Sequence, residues 1–236
     1  MIEKNIFQSW YTHKLHPFIE NKINSFKSMN PEYKYFLYTD DDMDKFVNEN
    51  FPGEISDCYN RLNIIVAKVD FWRYLVLYKY GGIYVDMDSS IEKPLRNLIS
   101  NEDEAIITAE KNPGFYVQWA LIYKKNHPIL KKVIDLVVDN IKNNKYPNDL
   151  HKTTGPTVYA KAIVETHNGF FKNKLDHTTI DIHTDITYIK NDISYRLYSV
   201  DYNNYFCFKY DGCQYLYINK KHWTQDQYEK PLLKTI

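Results

Sequence analysis

With 236 residues the chain is long enough for one domain with a substantial core. Its 30 basic and 30 acidic side chains cancel to a formal charge of zero, which argues against nucleic acid or an anionic membrane surface as a partner. Three cysteines, Cys58, Cys207 and Cys213, give neither an even disulfide framework nor a C-x-x-C pair, so a zinc ribbon is excluded and a reducing compartment is expected.

Residues 1–7 lack a signal-peptide core, and no stretch approaches the roughly 18 apolar residues of a membrane span. A soluble, cytoplasmic protein without an integral membrane segment is therefore expected. The 22 tyrosines supply flat amphipathic rings suited to stacking on sugars and bases, although joint enrichment of Tyr, Lys, Asn and Ile also follows from an AT-rich genome.

Residues 6–11 read as a first strand, and residues 18–29 as a helix with Phe18, Ile19, Ile23 and Phe26 on its apolar side. Asn30-Pro31 breaks the chain before a second strand at 33–38. Thr39 then caps a helix through residue 47 whose first turn, Asp40-Asp41-Asp42, carries the charge that a helix N-terminus favours. Over 62–80, Ile65, Val69, Trp72 and Val76 recur on one stripe of an amphipathic helix, which Gly81-Gly82 stops.

A strand at 83–86 follows, then a turn at Glu92-Lys93-Pro94-Leu95 and a strand at 104–109. Helices are expected at 117–125 and 129–141, and another after Thr154-Gly155-Pro156 through residue 164. From 178 to 218 the pattern breaks into short β-prone segments at 179–182, 186–189, 205–208 and 215–218. Alternating β and α elements without an internal repeat or low-complexity linker give a single α/β domain with a mixed sheet.

The chemistry concentrates in Tyr80-Gly81-Gly82-Ile83-Tyr84-Val85-Asp86-Met87-Asp88. On a strand, residues two apart share a face, so Asp86 and Asp88 are expected to project together where the strand ends. Two hard oxygen donors suit Mg²⁺ or Mn²⁺, which leaves positions open for substrate phosphates and makes a diphosphate ligand the first expectation. Asp70 and Arg73 lie three apart on the preceding helix and so share a face. That face can point toward the same acidic pair, with Arg73 countering its charge or reaching ligand oxygens.

Asp70-Phe71-Trp72-Arg73-Tyr74, followed by Tyr80-Gly81-Gly82-Ile83-Tyr84-Val85-Asp86-Met87-Asp88, closely resembles the signature of the family-32 type glycosyltransferases with a DXD sugar-binding region. Yeast-type initiating mannosyltransferases and capsule-synthesis enzymes belong to that family, and the clostridial glucosylating toxins share the spacing. Ile6-Phe7-Gln8-Ser9-Trp10, Asn30-Pro31-Glu32-Tyr33 and Thr153-Thr154-Gly155-Pro156 extend the resemblance over roughly residues 2–160. Departures are Glu3 and Phe7 where the family carries Pro and His, and Val69 where a Ser precedes the helix Asp.

The resemblance implies a GT-A fold: a Rossmann-like nucleotide-sugar-binding half with a mixed central sheet over 1–110, and an acceptor half with a β-rich tail over 111–236. It implies a retaining hexosyl transfer from a UDP-sugar or GDP-mannose to a glycan, protein or other hydroxyl acceptor. Asp70, Arg73, Asp86 and Asp88 would carry the chemistry. Trp10, Gln8, Tyr84 and Gly82 would contact the donor, and Asp86, Asp88 and His222 would hold the Mn²⁺ or Mg²⁺. Phe115, Tyr116 and Trp119 stand as either a glycan platform or core. Two other readings compete: a binding module for nucleotide sugars or carbohydrates without turnover, and a haloacid-dehalogenase-like phosphatase with Asp86 as nucleophile.

Overall fold

A computed structural model describes residues 1–112, 114–170, 185–190, 193–198, 200–218 and 229–234. The first third alternates as expected: β1 (Asn5–Ser9), α1 (Pro17–Met29), β2 (Lys34–Tyr38), α2 (Asp40–Asn50), α3 (Glu54–Arg61) and α4 (Ile65–Tyr80). The start of α2 carries the full reciprocal cap. Thr39 Oγ1 accepts from the Asp42 amide at 3.2 Å, and the Asp42 carboxylate accepts from the Thr39 amide at 2.9 Å.

Then follow β3 (Gly82–Val85), β4 (Ser90–Ile91), β5 (Ala105–Thr108), β6 (Ala120–Tyr123), α5 (Pro128–Lys142), α6 (Leu150–Thr153), α7 (Pro156–Phe170), β7 (Ile186–Lys190), β8 (Ile193–Tyr198) and β9 (Phe206–Cys207). Among the described residues, seven strands form one mixed sheet in the order β2-β1-β3-β6-β5-β8-β7, while β4 and β9 pair apart from it. β1 runs parallel to both β2 and β3, and β6 runs antiparallel to both β3 and β5.

The two-residue period of the strands sorts their side chains into two cores. Phe7, Tyr84, Leu121, Tyr123, Ala105 and Ile107 face the helical side with α2, α3, α4, α5 and α7. Ile6, Ile83, Val85, Ile122 and Ile106 face the other side, where α1 and the C-terminal segment cover them. Because α4 lies between the sheet and other helices, it is buried on all sides from Asp70 to Leu77, beyond the single stripe that its sequence shows.

Three segments depart from expectation. Residues 117–125 were read as a helix, but Ala120–Tyr123 is strand β6. A short run that is apolar at every position suits a strand buried on both faces and carries no period that separates it from a helix. The expected strand at 215–218 is a 3₁₀ turn, Cys213–Tyr217, and only Phe206–Cys207 of the 205–208 segment pairs as a strand. Helix α3 and strand β8 were not anticipated. The expected strand at 179–182 lies outside the described residues. Among the described residues, no helix is long and apolar enough to cross a membrane.

Gly82 is demanded by close approach. Its φ is +118°, and a Cβ there would sit 2.5 Å from the Asn5 carbonyl oxygen of neighbouring β1. That contact lets β1 and β3 lie side by side and brings their carboxyl ends to one place.

Candidate functional site

Strand order reverses between β1 and β3: the chain leaves β1 toward β2 on one side and returns to β3 on the other. In open α/β sheets the crevice beyond the strand ends at such a reversal is the natural ligand site. Here a cavity of about 890 Å³ opens at that point. Ser9 at the end of β1 and Trp10 after it line the cavity, as do Asp86, Met87 and Asp88 after β3, Asp70 and Arg73 of α4, and Gln118 and Trp119 before β6.

The acidic pair sits on a turn rather than on one strand face. β3 ends at Val85; the Asp86 amide donates to the Trp119 carbonyl at 2.7 Å, and the Ser89 amide donates back to the Asp86 carbonyl at 2.9 Å. Gln8 Nε2 also donates to the Asp86 carbonyl, at 3.1 Å, while its Oε1 accepts from Tyr35 at 2.9 Å. The turn is thereby clamped from both flanking strands.

Arg73 organises the carboxylates. Only 5% exposed, it meets Asp70 at 3.1 Å and Asp86 at 3.2 Å, donates to the Gln118 carbonyl at 3.1 Å and lies 4.6 Å from the centre of the Tyr84 ring. Tyr84 donates to Asp86 Oδ1 at 2.5 Å. Asp70 accepts a further hydrogen bond from Thr154 at 3.3 Å, so the Thr153-Thr154-Gly155-Pro156 segment ahead of α7 closes against α4. Asp88 accepts from Tyr217 at 2.9 Å and from Ser89 at 3.4 Å.

Burial dominates the electrostatics. It pushes the Asp86 carboxyl up to about 6, with Arg73 pulling down and the Asp88 charge pushing further up. Burial likewise raises Asp70 against the opposing pull of Arg73 and the Thr154 hydrogen bond. For Arg73, burial works against the charge, but the Asp86 and Asp70 carboxylates outweigh it and hold the guanidinium firmly protonated. Burial and the Asp88 charge raise the Tyr217 phenol, which stays a donor.

The expected site residues divide by position. Asp70, Arg73, Asp86, Asp88, Trp10 and Tyr84 all line the cavity. Gln8 and Gly82 are not in its lining: Gln8 holds the acidic turn from behind, and Gly82 serves the β1–β3 approach. His222 lies outside the described residues.

The donor set fits a divalent cation that is shared with a substrate. Asp86 and Asp88 present hard oxygens from one turn, and no third His, Cys, Asp or Glu completes a cation cluster among the described residues. An octahedral ion held by two carboxylates keeps coordination positions for phosphate oxygens.

Residues 19–105 match the family described as a glycosyltransferase sugar-binding region containing a DXD motif, and they carry Asp70, Arg73, Asp86 and Asp88. Residues 19–105 belong to this DXD glycosyltransferase family.

Two curated relatives of this chain are an initiation-specific alpha-1,6-mannosyltransferase of Candida albicans and an inositol phosphoceramide mannosyltransferase 1 of Schizosaccharomyces pombe. The first is 25% identical, covering 75% of this chain and 58% of the relative. The second is 30% identical, covering 68% and 48%. The chain thus spans about half the length of the curated relatives it matches. Among solved structures, the PaToxG glycosyltransferase superposes with a TM-score of 0.58 over 72% of each chain at 22% identity. The fold is GT-A.

Several cavity residues gave no signal in the sequence. Tyr217 reaches Asp88 across 129 positions, from a segment expected to be a strand. Gln118 supplies a backbone acceptor to Arg73, a role that no side-chain pattern encodes. Trp119 was visible as one of three aromatics: it lines the cavity, whereas Tyr116 packs into the helical-side core. Phe208, stacked on Trp119 at 5.2 Å, and Glu110 complete that wall.

Proposed function

We propose that this chain is a metal-dependent glycosyltransferase that moves a hexosyl group from a nucleotide-diphosphate sugar to a hydroxyl acceptor, with retention of anomeric configuration. The observation that carries the reading is the Asp70–Arg73–Asp86 ion network meeting the Asp86/Asp88 turn on a large cavity at the sheet's reversal point.

In this reading Asp88 and Asp86 hold Mn²⁺ or Mg²⁺, with His222 as a further ligand. The ion's contribution is to neutralise charge that develops on the diphosphate. Arg73 fixes Asp86 in place and keeps a cation beside the reacting centre. Asp70 and Arg73 face the transferred sugar, while Trp10 and Tyr84 line the nucleoside side. The anomeric carbon–oxygen bond breaks with its electron pair leaving on the diphosphate, and the acceptor oxygen bonds the same face of that carbon. The acceptor's proton passes to the departing diphosphate. Residues 1–110 then form the donor half and 111–236 the acceptor half.

Because both named relatives are mannosyltransferases, GDP-mannose is the first donor to test and UDP-glucose the second. A thermal-shift screen of GDP, UDP and both nucleotide sugars, with and without Mn²⁺, tests the reading. A ligand at 100 times its Kd stabilises by about 2.7 kcal/mol, so the matching nucleotide raises Tm only when Mn²⁺ is present. No metal-dependent shift with any of the four contradicts the proposal. Metal-dependent binding without hydrolysis or transfer favours the binding module.

A further inference from the structure

The cavity has a second wall that the Asp70, Arg73, Asp86 and Asp88 cluster does not use. Glu110 follows β5, and Trp119 precedes β6; Phe208 and Lys209 follow β9. All four line the cavity. Trp119 is joined to the acidic turn through its carbonyl, which accepts from the Asp86 amide, while its ring stacks on Phe208 at 5.2 Å and 29°. Phe208 is nevertheless 49% exposed, an aromatic surface left open at the cavity's mouth.

The same cavity is lined by a carboxylate that has no protein partner among the described residues. Among the described residues, the Glu110 side chain makes no hydrogen bond or ion pair, although it is half-buried. The neighbouring Asp201 already meets Lys111 at 3.5 Å. Burial, then the Asp201 charge, pushes the Glu110 carboxyl up to about 7, as expected of an acceptor without a donor. Lys209 holds a left-handed backbone at φ +51° and sets its ammonium 5.2 Å from the Phe208 ring centre. A bulky residue held at positive φ beside a cavity is a conformation that the surrounding structure has to maintain.

Spacing says what this wall faces. β3 and β5 are separated by β6, so their ends lie two strand spacings apart, about 10 Å. Glu110, beyond the end of β5, therefore stands apart from the acidic turn that follows β3, and it forms no cation cluster with Asp86 and Asp88 among the described residues. A carboxylate and an open aromatic face lining one cavity match a pyranose ring, whose hydroxyls donate and whose C–H face packs on the aromatic ring.

We propose that Glu110, Trp119 and Phe208 form the acceptor subsite, and that the acceptor is a sugar, held by a hydroxyl donating to the Glu110 carboxylate while its ring packs on Phe208. This rests on the transferase reading above, which supplies the donor on the β1–β3 side.

Saturation-transfer NMR tests it. Methyl α-mannopyranoside and cellobiose serve as probes, each with and without Mn²⁺ and GDP or UDP. Glycerol and a serine-containing peptide are the non-sugar comparison. The subsite predicts sugar binding by the wild-type chain that weakens about 10-fold or more in Glu110→Gln and in the exposed-site variant Phe208→Ala. In transfer assays the same variants raise the acceptor KM by a similar factor while the donor KM stays within twofold. Nucleotide binding without binding of either sugar overturns the subsite and leaves the transferase reading standing. Sugar binding that both variants retain at full strength also overturns it. Loss of all metal-dependent nucleotide binding in the wild-type chain refutes the transferase reading instead.

Discussion

Replacing Arg73 by Met removes the only cation in contact with Asp70 and Asp86 among the described residues. Asp70 is 3% exposed and Arg73 5%, so water cannot take over the contact to Asp70, whereas Asp86, its side chain 27% exposed on the cavity, can hydrate. Breaking a buried ion pair by removing one partner costs about 3–5 kcal/mol, because the remaining charge is left without compensation. The Gln118 carbonyl loses its 3.1 Å donor as well, which adds roughly 1 kcal/mol.

Part of that cost is relieved by protonation. Asp86 already sits at about 6 with Arg73 opposing the rise, so removing Arg73 raises it further. A protonated Asp86 is a poor cation ligand, so the Mn²⁺-dependent thermal shift should fade at a higher pH in the variant than in wild type as the pH is lowered. Arg73→Lys keeps the charge but not the fork, and should cost roughly 1–3 kcal/mol. Urea unfolding measures the stabilities, and the thermal shift from pH 6 to 8.5 measures the titration. An Arg73→Met variant within 1 kcal/mol of wild type, with the same pH dependence of its Mn²⁺ response, would refute this account of the network.

Other outcomes follow from single residues. Gly82→Ala should destabilise by about 3 kcal/mol in urea unfolding, since it places a Cβ 2.5 Å from the Asn5 carbonyl oxygen at a φ of +118°. His127, fully buried, caps α5 by accepting the Ile129 amide on Nδ1 and donates from Nε2 to the Ser194 carbonyl, so only the neutral ring fits. Burial lowers its pKa to about 4, whereas the unfolded chain binds that proton near 6.5. Its contribution is therefore full above 6.5 and lost as pH falls toward 4, an effect of about 3 kcal/mol. Asp86 and Glu110, both raised, pull the other way over part of this range, so the readout is the stability difference between wild type and His127→Gln. That difference should shrink by about 3 kcal/mol from pH 7 to pH 4, and a constant difference contradicts the cap.

The sequence carried the site best where chemistry and local geometry coincide. The three-residue spacing of Asp70 and Arg73 forces them onto one helix face, and the Thr39–Asp42 cap follows from side chains within one turn. Asp86 and Asp88 were legible as a pair, but their placement on a turn was not, because the end of β3 is set by the Trp119 carbonyl on another strand. β6 was misread because its four residues are apolar on both faces and a continuous apolar run has no period. Tyr217 and Glu110 were invisible for a different reason. Their roles arise from what the fold brings near them, the Asp88 carboxylate in one case and, in the other, the lack of an ion-pair partner among the described residues.

The most direct test is release of nucleoside diphosphate from GDP-mannose and UDP-glucose, with and without Mn²⁺, by wild type and Asp88→Asn. Asp88 lines the cavity and takes its hydrogen bonds from Tyr217 and Ser89 rather than from the Arg73 network, so the substitution should leave the fold intact. The account predicts Mn²⁺-dependent turnover of at least one donor by wild type, falling at least about 100-fold in the variant, the loss expected when a group stabilising developing charge is removed. Turnover by Asp88→Asn at the wild-type rate, or wild-type turnover indifferent to Mn²⁺, would contradict it.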